Sequence, residues 1–101
     1  MFAKENRYMT SGVADTLDIR LIAFLWNRID DLVESGQELD YLQAFQLEAD
    51  RSRVLNQRII HRSEQPELYL EYRLRIIEPI TCKVWVIDSR DYSTMLFPYE
   101  Y

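Results

Sequence analysis

The sequence predicts an α+β fold: an antiparallel meander sheet of about five strands, with one long N-terminal helix packed on one face. Three observations predict it. A single stretch near the N-terminus repeats apolar residues every three or four positions, the period of a helix. From Tyr41 onward the period falls to two, the period of strands. The candidate strands follow one another at short intervals, which favours antiparallel neighbours. The 101 residues fit one domain, 1–101, and 48% hydrophobic against 29% charged residues is enough for a core. With 2 Gly and 3 Pro there is little material for linkers.

Arg7 to Thr10 reads as a short strand that ends near Gly12. Asp15 or Thr16 can cap a helix, and Asp15 and Asp18 suit the positive end of its dipole. Ile19, Ile22, Leu25, Trp26, Ile29, Leu32 and Val33 form its apolar stripe, and Ser35-Gly36 ends it, giving a helix from about Thr16 to Ser35. Phe24 falls in the polar arc. Either the N-terminal segment around Phe2 and Tyr8 covers it, or it anchors a partner.

Tyr41 to Glu48 sets Tyr41, Phe45 and Leu47 on one face of a strand. Val54 to Arg62 is a second strand candidate. Leu68 to Ile77 alternates, with Leu68, Leu70, Tyr72, Leu74 and Ile76 facing one way and Glu71, Arg73 and Arg75 the other. Gln65-Pro66-Glu67 in front of it also suits a helical turn, and Glu78-Pro79 breaks it. Ile80 to Asp88 is apolar on both faces, which places it centrally. Asp88-Ser89-Arg90-Asp91 reads as a turn, and Tyr92 to Phe97 as a last strand stopped by Pro98.

Charge and motifs exclude more than they include. The net charge of −5 argues against direct binding to nucleic acid or to an anionic membrane. The acids Asp30, Asp31, Glu34, Glu38, Asp40, Glu48 and Asp50 fall in a stretch without Lys or Arg. The bases Arg51, Arg53, Arg58 and Arg62 follow in a stretch without acids, so the two are expected to neutralise each other in part across the sheet. Two glycines cannot build a Walker or Rossmann phosphate loop. One Cys and one His cannot make a structural zinc site, and no calcium loop is present, so neither a cofactor nor a metal is expected. The single cysteine, Cys82, points to a reducing compartment, and the opening MFAKENRYMT lacks the apolar run of a signal peptide. The longest apolar run, Leu21 to Trp26, is too short to span a membrane, so a cytoplasmic protein is expected.

His61 is the one side chain that ordinarily titrates near neutrality, so a small enzyme would have to rely on it. The plainer reading is a hydrogen-bonding residue at a strand end. Cys82 shares a face with Ile80, Val84 and Val86 and reads as core. His61-Arg62-Ser63-Glu64-Gln65-Pro66-Glu67 is a polar segment between two apolar ones, read either as a plain loop or as a recognition loop.

Several runs together resemble a known family. They are Arg7 to Val13, Phe24 to Asp30, Asp40 to Phe45, Ile60 to Glu67, Val84 to Asp88, and Asp91 to Phe97 with the ending Glu100-Tyr101. In this order they resemble the small Gram-positive bacterial family catalogued as domain of unknown function 960. The resemblance covers nearly the whole chain and implies no activity and no site residues. The chain departs from the family pattern at Asp15-Thr16-Leu17-Asp18, where a proline is expected, and at Asp88-Ser89-Arg90-Asp91, where a glycine is expected.

The leading expectation is therefore a non-catalytic intracellular interaction domain whose partner is another protein or a second copy, as in a homodimer. Its candidate binding residues are Phe24, His61, Arg62, Glu64, Gln65, Tyr99 and Tyr101. The motive is an aromatic content of 13% without evident chemistry. The alternative is an acidic mimic of nucleic acid, an inhibitor of a nucleic-acid-binding protein, carried by Asp30, Asp31, Glu34, Glu38 and Asp40. The tail Pro98-Tyr99-Glu100-Tyr101 is expected to pack back on Trp26, Trp85 or the sheet, or else to enter a partner's groove.

Overall fold

The computed structural model describes Met1–Tyr101. Its elements, in chain order, are β1 (Arg7–Met9), α1 (Ser11–Thr16), α2 (Ile19–Glu34), β2 (Leu42–Ala49), β3 (Gln57–Glu64), β4 (Glu67–Leu74), β5 (Cys82–Asp88) and β6 (Ser93–Leu96), followed by a 3-10 turn over Pro98–Glu100. The six strands form one sheet in the order β1-β6-β5-β2-β3-β4. The fold is mixed α and β with a mostly antiparallel sheet. The β1–β6 pair is parallel, with Arg7 opposite Ser93 and Met9 opposite Met95.

Three expectations need correction. The sheet has six strands, since Arg7–Met9 joins as a parallel edge. It is also not a simple meander. β2, β3 and β4 follow one another, but the chain then returns from the edge to place β5 on the free side of β2. The helix expected from Thr16 to Ser35 is α2 over Ile19–Glu34, and a separate short helix, α1, precedes it. Thr10 caps α1, its hydroxyl accepting from the Val13 N–H at 3.2 Å, and Asp18 caps α2 by accepting from the Arg20 N–H at 2.8 Å. Leu17 and Asp18 are extended between them, which moves the start of the long helix three residues on. The phase shifts with it. Leu21, Ile22, Leu25 and Ile29 are buried, while Ile19 is 70% exposed. Gly36 ends α2 at φ +80°, the left-handed conformation that glycine tolerates best.

α2 lies on one face of the sheet. Against it pack Phe45 and Leu47 of β2, Ile59 of β3, Val84 and Val86 of β5 and Met95 of β6, joined by Phe2, Val13 and Leu17 from the N-terminal segment. The central placement read for Ile80 to Asp88 holds, because β5 runs between β2 and β6. The alternation of Leu68 to Leu74 holds as well. Tyr41 lies outside β2 and is half exposed. Val54 and Leu55 belong to the β2–β3 turn rather than to β3, and both are exposed. At the Ser89 to Asp91 turn Arg90 takes φ +75°, the left-handed region that favours glycine.

The return from β4 to β5 is held by two amides. Asn56 Nδ2 donates to the Ile76 carbonyl at 2.8 Å, and the Ile76 N–H donates back to Asn56 Oδ1 at 2.9 Å. Gln57, fully buried, donates to the carbonyls of Ile80 (3.0 Å), Glu48 (3.1 Å) and Arg58 (3.2 Å), and accepts from the Ile80 N–H (2.8 Å). Replacing Gln57 by Leu keeps the volume but strips the partners from these groups. Each orphaned buried group costs about 1–3 kcal/mol. Gln57→Leu is expected to lower the stability measured by urea unfolding by about 3 kcal/mol or more, against less than about 1 kcal/mol for Gln46→Leu on the opposite face.

Candidate interaction surface on the open sheet face

The two faces of the sheet carry different chemistry. On the face under α2, His61 is fully buried and stacks on Phe45 with ring centroids 4.2 Å apart. Gln43 fixes its tautomer. The Gln43 amide nitrogen donates to the Asp40 carbonyl at 2.8 Å, so its oxygen accepts from His61 Nε2–H at 2.7 Å. Nδ1 is then the acceptor nitrogen and has no partner in the chain, as is also true of the buried Arg28 Nε. Burial pushes the imidazole down to about 4, helped by the positive charge of Arg28.

These placements correct several expectations. His61 sits mid-strand and inward, where it cannot meet a partner. The polar segment from His61 to Glu67 is not a loop. His61 to Glu64 is the end of β3, Glu67 begins β4, and only Gln65 and Pro66 turn between them. Phe24 is covered by β4 rather than by Phe2 and Tyr8. It meets Tyr72 edge-on at 5.8 Å, and the Arg28 guanidinium lies over both rings, 4.7 Å from Phe24 and 5.1 Å from Tyr72.

The five acids do not form a free array. Asp30 is three-quarters or more buried and is bonded by Arg7 (Nη1 to Oδ2 3.2 Å), which also lies over Trp26 at 4.5 Å. Asp31 pairs with Arg28 at 2.9 Å and Glu34 with Lys4 at 3.3 Å. Asp40 accepts from the Gln65 N–H at 3.0 Å, which leaves Glu38. Neutralisation between the acidic and basic stretches holds at Glu48–Arg58 and Asp50–Arg53. Arg58 also bonds Glu71 at 2.7 Å, which lowers the Glu71 carboxyl below its usual range. No trio of His, Cys, Asp or Glu side chains comes together as metal ligands would.

The outer face has no helical layer. Direct cross-strand partners there form one row over five strands: Leu96, Trp85, Ala44, Arg62 and Tyr69. Ala44 is the smallest member and sits in the middle, so the row has a notch between Trp85 and Arg62. Two hollows meet at Ala44 and Arg62. One, of about 670 Å³, reaches Tyr41, Glu64, Glu67 and Tyr69. The other, of about 280 Å³, is bounded by Ile60, Lys83, Trp85 and Pro98. The Arg62 guanidinium lies 5.0 Å from the Tyr69 ring centre and has no carboxylate partner. Lys83, exposed, has none either.

Of the candidate binding residues, Arg62, Glu64 and Gln65 are exposed on this face or its hairpin, and the tail folds beside them. Tyr101 meets Trp85 edge-on at 5.9 Å, and Tyr99 stacks on Phe97 at 5.5 Å, although both tyrosines are more than 80% exposed. Glu100 holds the tail in place, accepting from Thr10 Oγ1 (2.8 Å) and from the Phe97 N–H (2.7 Å). Sequence reasoning missed Ala44, Trp85, Lys83 and Tyr69 as one surface. Each stands at an outward position of its own strand, and only the strand register joins them.

The model of the family described as Staphylococcal protein of unknown function, DUF960, matches residues 6–100. The chain belongs to this family. No curated protein matches the chain. Among solved structures it is similar to one titled as the crystal structure of a protein of unknown function from Enterococcus faecalis, at 20% identity and a TM-score of 0.81 over 99% of this chain and 94% of that one. That likeness extends the DUF960 fold to a distant sequence. No helix of this DUF960 chain is long and apolar enough to cross a membrane.

His61 makes stability depend on pH. Its pKa falls from 6.5 when free to about 4 when folded, so between these values the unfolded chain binds a proton that the native chain does not. Stability is therefore complete above about pH 6.5 and declines as the pH falls toward 4. At about 1.4 kcal/mol per unit, the loss between pH 7 and pH 5 is roughly 2 kcal/mol. Urea unfolding of wild type at the two pH values is expected to show it, and His61→Gln is expected to remove more than half of that difference.

Proposed function

We propose that this chain is a non-catalytic intracellular interaction domain that presents the open face of its sheet to another protein. The observation that carries the reading is the row Leu96–Trp85–Ala44–Arg62–Tyr69, in which Trp85, Arg62 and Tyr69 flank a notch at Ala44 that no long helix covers, with Leu96 buried at its end. Tyr, Trp and Arg dominate the energetics of protein interfaces because each combines a large contact area with a polar handle. The unpaired Arg62 and Lys83 favour a partner segment that brings a carboxylate next to an apolar side chain.

Two further observations support a binding role over catalysis. The one histidine is sealed under α2 and held neutral. Burial pushes the Cys82 thiol up to about 11, which suppresses the thiolate needed of a nucleophile. A protonated, unpaired thiol also suits a reducing cytoplasm.

Capture from the native cell with wild-type bait and with Arg62→Glu or Trp85→Ala bait, followed by titration with the purified partner, tests the reading. The expected result is a partner retained by wild type and bound about thirtyfold more weakly by Trp85→Ala, the loss typical of a central aromatic. Thermal unfolding should show the Arg62→Glu bait to be as stable as wild type. Identical binding by all three baits would place any interface elsewhere.

A further inference from the structure

The two edges of the sheet are unequal. β1 is three residues long, and so short an edge offers little to another strand. β4 is eight residues long and is paired only with β3. An edge strand turns one row of N–H and C=O groups outward, ready to pair. The inward side chains Leu68, Leu70, Tyr72 and Leu74 are all only partly buried, because the sheet ends beside them.

The side chains say which strand fits. We infer that β4 pairs antiparallel with β4 of a second copy across a two-fold axis at Leu70, making one continuous sheet of twice the width. In this register Glu67 faces the partner's Arg73 and Arg73 the partner's Glu67. Tyr69 faces the partner's Glu71, Leu68 the partner's Tyr72, and Leu70 the partner's Leu70. Opposite charges directly across a strand pair stabilise it, and the two-fold repeats the pair. Glu67 has no ion-pair partner within its own chain, and Arg73 has only Asp50 at 3.3 Å, so both are open to the new pair. Glu71 is already held by Arg58 and meets an uncharged ring.

Neighbouring registers are worse. An axis at Tyr69 sets Glu67 against the partner's Glu71, and an axis at Glu71 sets two Glu71 carboxylates against each other. An axis at Tyr72 confines the pairing to residues 70–74 of the strand, where the axis at Leu70 pairs 67–73. Odd shifts turn the apolar side of one strand toward the polar side of the other.

This inference stands apart from the open-face reading and has its own test. Sedimentation equilibrium of the full chain, from micromolar to submillimolar concentration, is compared for wild type, Glu67→Arg, Arg73→Glu, the double reversal and Leu70→Lys. The expected result is a wild-type dimer that each single reversal weakens roughly tenfold, because the broken pair occurs twice. The double reversal should restore it, and Leu70→Lys, which sets two ammonium groups at the axis, should abolish it. If Leu70→Lys fails to fold, the reversals at Glu67 and Arg73 still decide. A wild type that stays monomeric overturns the inference and leaves the charges of β4 as an edge-blunting device. A dimer that ignores the substitutions, or that the double reversal fails to restore, overturns it as well.

Discussion

The return of the chain from β4 to β5 is the constraint on which the rest of the structure depends. A simple meander would place β5 beyond β4 and leave β2 at an edge. Instead Asn56 and Gln57, at the start of β3, take up backbone groups of Ile76 and Ile80 on either side of the return. Those groups lie next to the core, where an unpaired N–H or C=O would be costly. With the return fixed, β2 becomes an interior strand, flanked by β3 and β5. That is what brings Ala44 between Trp85 and Arg62. The outer surface is a consequence of a clamp on the inner side.

The same layer explains the polar groups under α2. Gln43, Gln57, His61, Ser63 and Ser93 all point inward and are buried. Side chains of this kind are poor core formers unless bonded, and the Gln43–His61 and Gln57–Ile80 contacts answer that need. A neutral imidazole suits such a layer far better than a charged one, and both burial and Arg28 act in that direction. Arg28 serves the opposite flank as well. Its guanidinium caps the Phe24–Tyr72 pair, so one residue of α2 ties the helix to the edge strand, as Arg7 ties it to the N-terminus through Asp30.

How much of this could be read from the sequence depended on whether the cause was local. The stripe of α2, the alternation of β4 and the doubly apolar β5 are properties of a dozen residues or fewer, and each was legible. The break between α1 and α2 was legible in principle, since Thr10 and Asp18 are both good caps, but Asp15 and Thr16, which also suit a cap, lie in the last turn of α1. β1 was legible as a short strand at Arg7 to Thr10, but its parallel pairing was not, because it depends on a strand more than eighty positions away. The end of β3 was hidden because its inward residues, His61 and Ser63, are polar, so a strand looked like a loop. The open-face row was illegible for a different reason. Its members come from five strands, and only the register brings them together.

A shortage of cover links the two surfaces of the molecule that are open to partners. One helix of 16 residues, about 24 Å long, is the main layer for six strands. Strands about 4.8 Å apart make such a sheet roughly as wide as the helix is long, so a helix about 10 Å thick cannot close a whole face. What α2 does close is the middle, where Phe45, Leu47, Ile59 and Val84 are buried completely or nearly so. What it leaves half-open is the β4 margin, and the outer face has only the C-terminal tail beside Trp85 and Leu96. Monomeric sheets with one bare face usually make it polar. Here the bare face keeps Trp85, Ile87, Leu42 and Tyr69 in partial or full view, and the bare edge keeps Leu68 and Leu70. Both follow from the same ratio of one long helix to six strands.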